Sequence, residues 1–437
     1  MGGDQLTRIP HPLSPPIPVC RSAAMPDRRP IWLDRRRFLA AATGTAVAIA
    51  VEAQAAPLLG ARKPSRAEAS NAWIEVDPAI FDDNLERIRA MLTGGAQVCA
   101  VMKADAYGIG IDMLMPSVIK ARIPYVGIAS NEEARVARAC GFKGRIMRVR
   151  LATAREIAAA APYDVEELVG NLEAADSILQ VARKRGRRAR VHLALNSAGM
   201  SRNGVELRTD AGRREALALA ENEGLQIVGL MTHFPSEDPA ELLRNVETFQ
   251  HDAEWLFANT RLRREQVLLH AANSFAIQHV PQSHLDMVRP GGALYGYGGT
   301  PKPPFAHVAA FKTRVASVQA YPAGSTVSYD RTFTLSRDSL LANLPVGYSD
   351  GYRRAYSNKG SVLVRGQRAP VVGRVTMNTT MVDVTDIVGV RPDDEAVLFG
   401  RQGEDQITQA EIEEITGVIL ADQYTVWGNS NPKILRR

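Results

Sequence analysis

The stretch Val98-Cys99-Ala100-Val101-Met102, closed by Lys103 and continued by Ala104-Asp105-Ala106-Tyr107-Gly108, decides how the chain is read. A short apolar run that stops at a lysine and then turns polar predicts a buried strand delivering a charged side chain at its C-terminal end. Runs of the same kind recur at Tyr125–Ala129, Arg145–Val149, Glu166–Gly170, Val191–Leu195, Ile227–Met231, Val267–His270 and Asp286–Arg289. Between them lie helix-like stretches such as Asn131–Ala139, Ala154–Ala161 and Ala174–Lys184. Eight strands, each followed by a helical or loop crossover, predict an α/β fold of the (β/α)8 TIM-barrel type over residues 72–305. A doubly wound open sheet is the alternative, but no Gly-rich dinucleotide fingerprint opens the first helix.

The texture changes after Phe305. Val315–Ala320, Leu340–Leu344, Ser361–Val364, Ala369–Val375, Met381–Val384 and Glu395–Phe399 read as strands separated by Gly, Pro and Asp turns. Helical signal is weak there except near Thr408–Thr416, so residues 306–437 are expected to form an all-β C-terminal domain.

Upstream, Asp34-Arg35-Arg36-Arg37-Phe38-Leu39 precedes an Ala-rich apolar run from Ala40 to Val51 that ends in Ala53-Gln54-Ala55. That run is too short for a stable bilayer span, so no stable membrane anchor is expected. Twin arginines followed by Phe-Leu resemble a Tat export signal over residues 1–55, cleaved near Ala55, which places the mature protein in a periplasm. Residues 56–71 then read as a polar linker.

With 437 residues, 45% hydrophobic and 23% charged, the chain has an ordinary globular composition. The formal charge of +6 is modest, and no basic block with interleaved aromatics argues for nucleic-acid binding. Of three cysteines, Cys20 lies in the leader; Cys99 and Cys140 fit no metal site, and pairing between them is left open.

In barrels of this type reactive groups sit at the C-terminal strand ends, and phosphate binds after strands 7 and 8. Those positions hold Lys103, then Asn196 and Arg202, then Thr232-His233-Phe234, then Asn273-Ser274, and last Arg289-Pro290-Gly291-Gly292. Lys103-Ala104-Asp105-Ala106-Tyr107-Gly108 resembles the cofactor lysine segment of alanine racemases. The likeness continues in order through Thr232-His233-Phe234, Ala272-Asn273-Ser274, Val288-Arg289-Pro290-Gly291, Leu294-Tyr295-Gly296, Val327-Ser328-Tyr329, Val346-Gly347-Tyr348-Ser349-Asp350-Gly351-Tyr352 and Gly373-Arg374-Val375.

The resemblance implies a pyridoxal 5′-phosphate enzyme that racemises free amino acids, an isomerase. Lys103 would hold the aldehyde cofactor as a Schiff base. Ser274, the backbone N–H groups around Gly291 and Gly292, and the hydroxyls of Tyr107 and Tyr424 would receive the phosphate. Tyr424 matches by position only, since Gln423 and Thr425 depart from the family pattern. His233 would lie against the pyridine ring, with Asn273 and Arg202 also on the cofactor side. Arg289 would face the ring nitrogen; an arginine cannot take up its proton, so the nitrogen stays neutral and the carbanion short-lived. That favours quick reprotonation over elimination or transamination.

Inverting a stereocentre needs a base on each face of Cα. Lys103 supplies one, and the resemblance assigns the other to Tyr329, reaching the barrel of a partner subunit in a homodimer. A phenol titrates near about pH 10 in water, so cationic neighbours must make its phenolate accessible, and the His233–Arg289 pair is one route. Arg202, Tyr348, Met377 and Asn378 would meet the substrate. No metal is expected.

The strand 5 segment departs from the family's Lys-x-Asp-Thr-Gly-Met. It reads Ala194-Leu195-Asn196-Ser197-Ala198-Gly199-Met200, with one extra residue. Arg202 must then be held by something other than the family lysine, an anion near Asn196 and Asn378 being one route. Met377-Asn378 replaces Met-Asp, and Ile109 stands where the family often has His. These changes resemble the exported broad-specificity racemases, which accept larger and often basic amino acids. A strict alanine racemase is the alternative. A decarboxylase of basic amino acids would expect a late catalytic cysteine and an acidic partner for the pyridine nitrogen, and a cofactor carrier would lack the β domain.

Overall fold

The computed structural model describes residues 69–298 and 304–436. The expected leader, its Arg35-Arg36 pair and most of the expected linker lie outside these residues.

Eight parallel strands form the barrel: Gln97–Val101, Tyr125–Ile128, Arg145–Arg148, Val165–Val169, Ala189–Ala194, Leu225–Met231, Leu268–His270 and Met287–Val288. The first seven pair in succession, and the eighth pairs with the first, Met287 opposite Gln97 and Val288 opposite Val98. Backbone bonds from Asp286 N to Leu269 O (3.1 Å) and from Arg289 N to Ala272 O (2.9 Å) join the seventh strand to the eighth. Every apolar run read from the sequence is a barrel strand, with ends within two residues of those expected.

The crossovers are helices because their sequences cap and stripe them. Ser130 and Glu133 form a capping box ahead of Asn131–Ala139, as Thr153 and Glu156 do ahead of Ala154–Ala159. In Leu172–Lys184 the buried residues Ala175, Ile178, Leu179 and Ala182 fall on one face at helical spacing. Alternate strand residues point inward, where Cys99, Tyr125, Met147 and Met287 form one packed cluster and Leu168, Ala194 and Met231 another. The barrel interior is thus a filled core that supports the strand ends.

The β-rich part is built from both ends of the chain. Ala72–Val76, which the sequence reading put at the head of the barrel, instead pairs antiparallel with Ala309–Arg314 and parallel with Lys433–Leu435. A five-residue apolar strand carries no mark of which sheet it joins; here the register aligns Ile74 with Phe311 and Lys433. A second sheet combines Ser317–Tyr321, Ser339–Leu344 and Thr380–Asp383. Two helices follow, Gln409–Thr416 behind the Thr408 cap, and Leu420–Ser430, which the sequence reading did not anticipate.

Cys99 and Cys140 are free thiols, the first inside the barrel and the second at a helix C-cap. Among the described residues, no helix is long and apolar enough to cross a membrane, and no group of three or more His, Cys, Asp or Glu is placed to hold a metal ion.

Candidate active site

A cavity of about 620 Å³ opens at the C-terminal ends of the barrel strands. Its walls hold Lys103, Tyr107, Arg202, His233, Asn273, Ser274, Arg289, Gly291 and Gly292 from the expected set.

Lys103 leaves the first strand on an unusual support. Ala104, Asp105, Ala106 and Tyr107 all have φ between 54° and 57°, a left-handed turn in which none is glycine. Such residues cost roughly 1–2 kcal/mol each and persist only where surroundings hold them. Glu133 does so: its carboxylate accepts N–H groups from Ala104 (2.8 Å), Ala129 (2.6 Å) and Ser130 (3.0 Å). Asp105 accepts from Ile111 N (2.9 Å) and pairs with Lys433 (2.9 Å). Burial, and after it the Arg202 charge, push the Lys103 ammonium below its ordinary pKa, against the pull of Glu133. A lowered pKa makes the free amine more accessible as a nucleophile and base.

A cradle lies beside it. Ser274 Oγ accepts from Gly291 N and Ala293 N, both at 3.1 Å, and the Asn273 side chain caps the short helix that starts at Ser274 by accepting from Ala276 N (2.9 Å). A Cβ at Gly291 would lie 2.3 Å from the Tyr107 hydroxyl, and one at Gly292 would lie 2.7 Å from Tyr297 O. Converging N–H and hydroxyl groups in space that only glycine leaves open suit a phosphate.

Tyr297 lines this end of the cavity, its ring 5.8 Å from that of Tyr107. Tyr424, expected here, is not among the lining residues; its ring lies 6.3 Å from that of Tyr297, with its hydroxyl 3.5 Å from His307 Nδ1. The position of Tyr297, five residues past Gly292, was the available signal.

At the other end lies Arg289, buried and donating to His270 Nδ1 (2.8 Å), Thr232 O (2.7 Å) and Ala271 O (3.0 Å). Burial lowers its pKa to about 10, so it remains a cation at neutral pH. His233 Nδ1 is 3.5 Å away. Burial, then Arg289, Arg202 and Lys103, pull His233 down to about 3. With His233 neutral, the positive charge of the His233–Arg289 pair rests on Arg289.

Pyridoxal phosphate fits these groups: an amine of lowered pKa, a phosphate cradle, and an arginine in place of the carboxylate that a strong electron sink needs.

Ala194 is buried in the cavity wall. Asn196 is tied inward, accepting from Ser201 N (2.6 Å) and donating to Glu206 (2.8 Å). No hydrogen bond or ion pair holds the Arg202 side chain among the described residues. Asn378 is not brought to Asn196 within one chain; it donates to Ser349 Oγ at 2.9 Å on the β-domain surface. Tyr329, Tyr348 and Met377 also lie outside the Lys103 cavity, 71%, 43% and 55% exposed. Tyr329 stands on a strained turn, with Ser328, Asp330 and Arg331 at φ 63°, 62° and 51°. The wall further includes Glu237 from a barrel loop, Gln409 and Glu413 from the helix Gln409–Thr416, and Ile419 just beyond it, polar or isolated residues whose place at the site no local sequence pattern marks.

Barrel, lysine turn and cradle define an enzyme of the barrel class that binds pyridoxal phosphate at the strand ends. The alanine racemase N-terminal domain matches residues 76–299 and the alanine racemase C-terminal domain residues 308–435, and the chain belongs to the alanine racemase family, which is pyridoxal-phosphate dependent. It is 54% identical over 394 residues to a broad specificity amino-acid racemase of Aeromonas hydrophila, covering 89% of this chain and 97% of that one. It is 42% identical over 366 residues to a lysine racemase of Proteus mirabilis, covering 84% and 90%. The solved alanine racemase of Streptomyces coelicolor A3(2) superposes with a TM-score of 0.77 at 31% identity, covering 83% and 97%.

Proposed function

We propose that the chain racemises free amino acids larger than alanine, basic ones included, as a homodimer exported to the periplasm. The observation that carries the substrate reading is the wall beside Arg202, where a small Ala194 and an inward-tied Asn196 leave room and no charge. The activities for which the Aeromonas and Proteus relatives are named support it.

When bound, pyridoxal phosphate supplies the electron sink that acidifies the substrate Cα–H. The chain's own residues do the rest. Lys103 Nζ takes or returns the proton on one face. Arg289 keeps a cation, and no carboxylate, at the buried end of the cavity. Arg202, unpartnered and facing the cavity, is free to pair with a substrate carboxylate.

A second base is needed on the opposite face. Of the tyrosines lining the cavity, Tyr107 is pushed up to about 12 by burial and Tyr297 well above 10, and both serve the phosphate end. Tyr329 projects from its strained turn with Tyr348 and Met377 exposed as well, a ridge suited to enter a second copy's cavity.

The test is kcat/KM for L-Ala, L-Lys and L-Arg on the mature protein. Appreciable turnover of alanine alone would make it a strict alanine racemase. For export, Arg35→Lys with Arg36→Lys should remove periplasmic activity; unchanged activity there overturns that part.

A further inference from the structure

Arg289 is the first member of a buried row that runs down the barrel interior. From it the contacts pass to His270 Nδ1 (2.8 Å), from His270 Nε2 to His192 Nδ1 (2.9 Å), and from His192 Nε2 to Glu166 Oε2 (3.0 Å). Both histidines are fully buried, Arg289 and Glu166 nearly so. Glu166 Oε1 in turn accepts from Arg190 (2.7 Å) and Arg145 (3.3 Å) near the opposite mouth of the barrel. Room for the row is made on the sixth strand: a Cβ at Gly229 would lie 2.3 Å from His192 Nδ1 and 2.9 Å from His270 Nε2. Cys99 and Tyr125 pack alongside, both pushed up to about 12 by burial, so neither adds a charge at neutral pH.

The direction of every link follows from its ends. A guanidinium only donates and an ionised carboxylate only accepts. Arg289 therefore forces His270 Nδ1 to accept, which puts the His270 proton on Nε2, facing His192 Nδ1. The His192 proton is then on Nε2, facing Glu166. One arrangement satisfies all three contacts: two neutral imidazoles, each protonated at Nε2, all donating toward Glu166. Burial, and then the Arg289 charge, disfavour the cationic form of His270. Burial opposes ionisation of Glu166, and the hydrogen bonds it accepts from His192 and then Arg190 outweigh that.

We propose that Glu166, His192 and His270 are positioning residues that act through Arg289. The row sets Arg289 against an imidazole far less basic than a guanidinium, so Arg289 keeps its proton, and it fixes the orientation of the side chain. It thereby holds the cofactor ring nitrogen unprotonated and keeps the reaction on racemisation rather than transamination. No proton moves along the row; its work is static polarisation.

This rests on the racemase reading of the same site, and the two fail separately. If the unaltered enzyme racemises no amino acid, that reading falls while the row can still be examined. The first measurement is nitrogen NMR of histidine-labelled holoenzyme at neutral pH. His270 and His192 are expected as neutral imidazoles protonated at Nε2; a cationic or Nδ1-protonated form at either overturns the proposal. The second compares His270→Leu with His270→Gln, whose amide keeps an acceptor for Arg289 and a donor toward His192. The ratio of transamination to racemisation, read as accumulation of the amine form of the cofactor, should rise roughly tenfold in His270→Leu and stay near the original in His270→Gln. Equal ratios in both variants and the unaltered enzyme overturn it.

Discussion

Glu133, on the helix after the second barrel strand, accepts the backbone N–H of Ala104 at 2.8 Å, one residue beyond Lys103. The same carboxylate takes two more N–H groups, from Ala129 and Ser130. One side chain thus caps its own helix and holds the left-handed turn. Glu133→Ala removes a charged acceptor from three backbone donors and should cost about 3 kcal/mol of stability. Denaturant unfolding measures that loss, and titration with pyridoxal phosphate should show weaker retention. Unchanged affinity would mean that the turn holds itself.

Lys103→Ala should abolish the visible absorbance of lysine-bound cofactor and lower racemisation by at least about a thousandfold, since one residue is both anchor and base. A borohydride-reducible adduct with full activity would sink the assignment.

Tyr329→Phe should slow proton removal from one enantiomer far more than from the other, by roughly a hundredfold or more on the affected face. Isotope exchange into each enantiomer from D2O reads this directly. Mixed Lys103→Ala and Tyr329→Phe subunits should regain activity, because a heterodimer would carry one intact site. Verified subunit exchange without recovery counts against a shared site.

Acid should destabilise the protein through its neutral histidines. Burial holds His307 at about 4, below its ordinary 6.5. Between those values the unfolded chain binds a proton that the folded chain does not. The stabilising contribution is therefore complete above 6.5 and is lost as pH falls toward 4, up to about 3 kcal/mol. His307→Gln should flatten this part of the stability profile measured by denaturant unfolding; an identical slope rules the histidine out.

The barrel was legible because each strand is a short apolar run between helical stretches, and the hydrophobic period survives in one dimension. Lys103, Ser274, Arg289, His233 and the two glycines were legible because they end those strands. What escaped is set by partners far away in sequence. Ala72–Val76 joins the β sheet through Phe311 and Lys433. The left-handed turn after Lys103 is enforced by Glu133, where the local residues alone favour an ordinary helix. Leu420–Ser430 is helical although Thr425, Val426 and Gly428 disfavour it, because Leu420, Tyr424 and Trp427 are buried on one side.

The lysine turn is clasped from behind by the end of the chain. Tyr424 O presses so close to Gly108 that a Cβ there would lie 2.2 Å from it, and Lys433 grips Asp105 at 2.9 Å. The barrel strands are all synthesised long before these residues leave the ribosome. The clasp by residues 424 and 433 is therefore a later-made support for a turn that Glu133 already holds from within the barrel. Removing residues 420–436 would uncover Gly108 and strip Asp105 of its lysine, leaving the turn to its contacts inside the barrel.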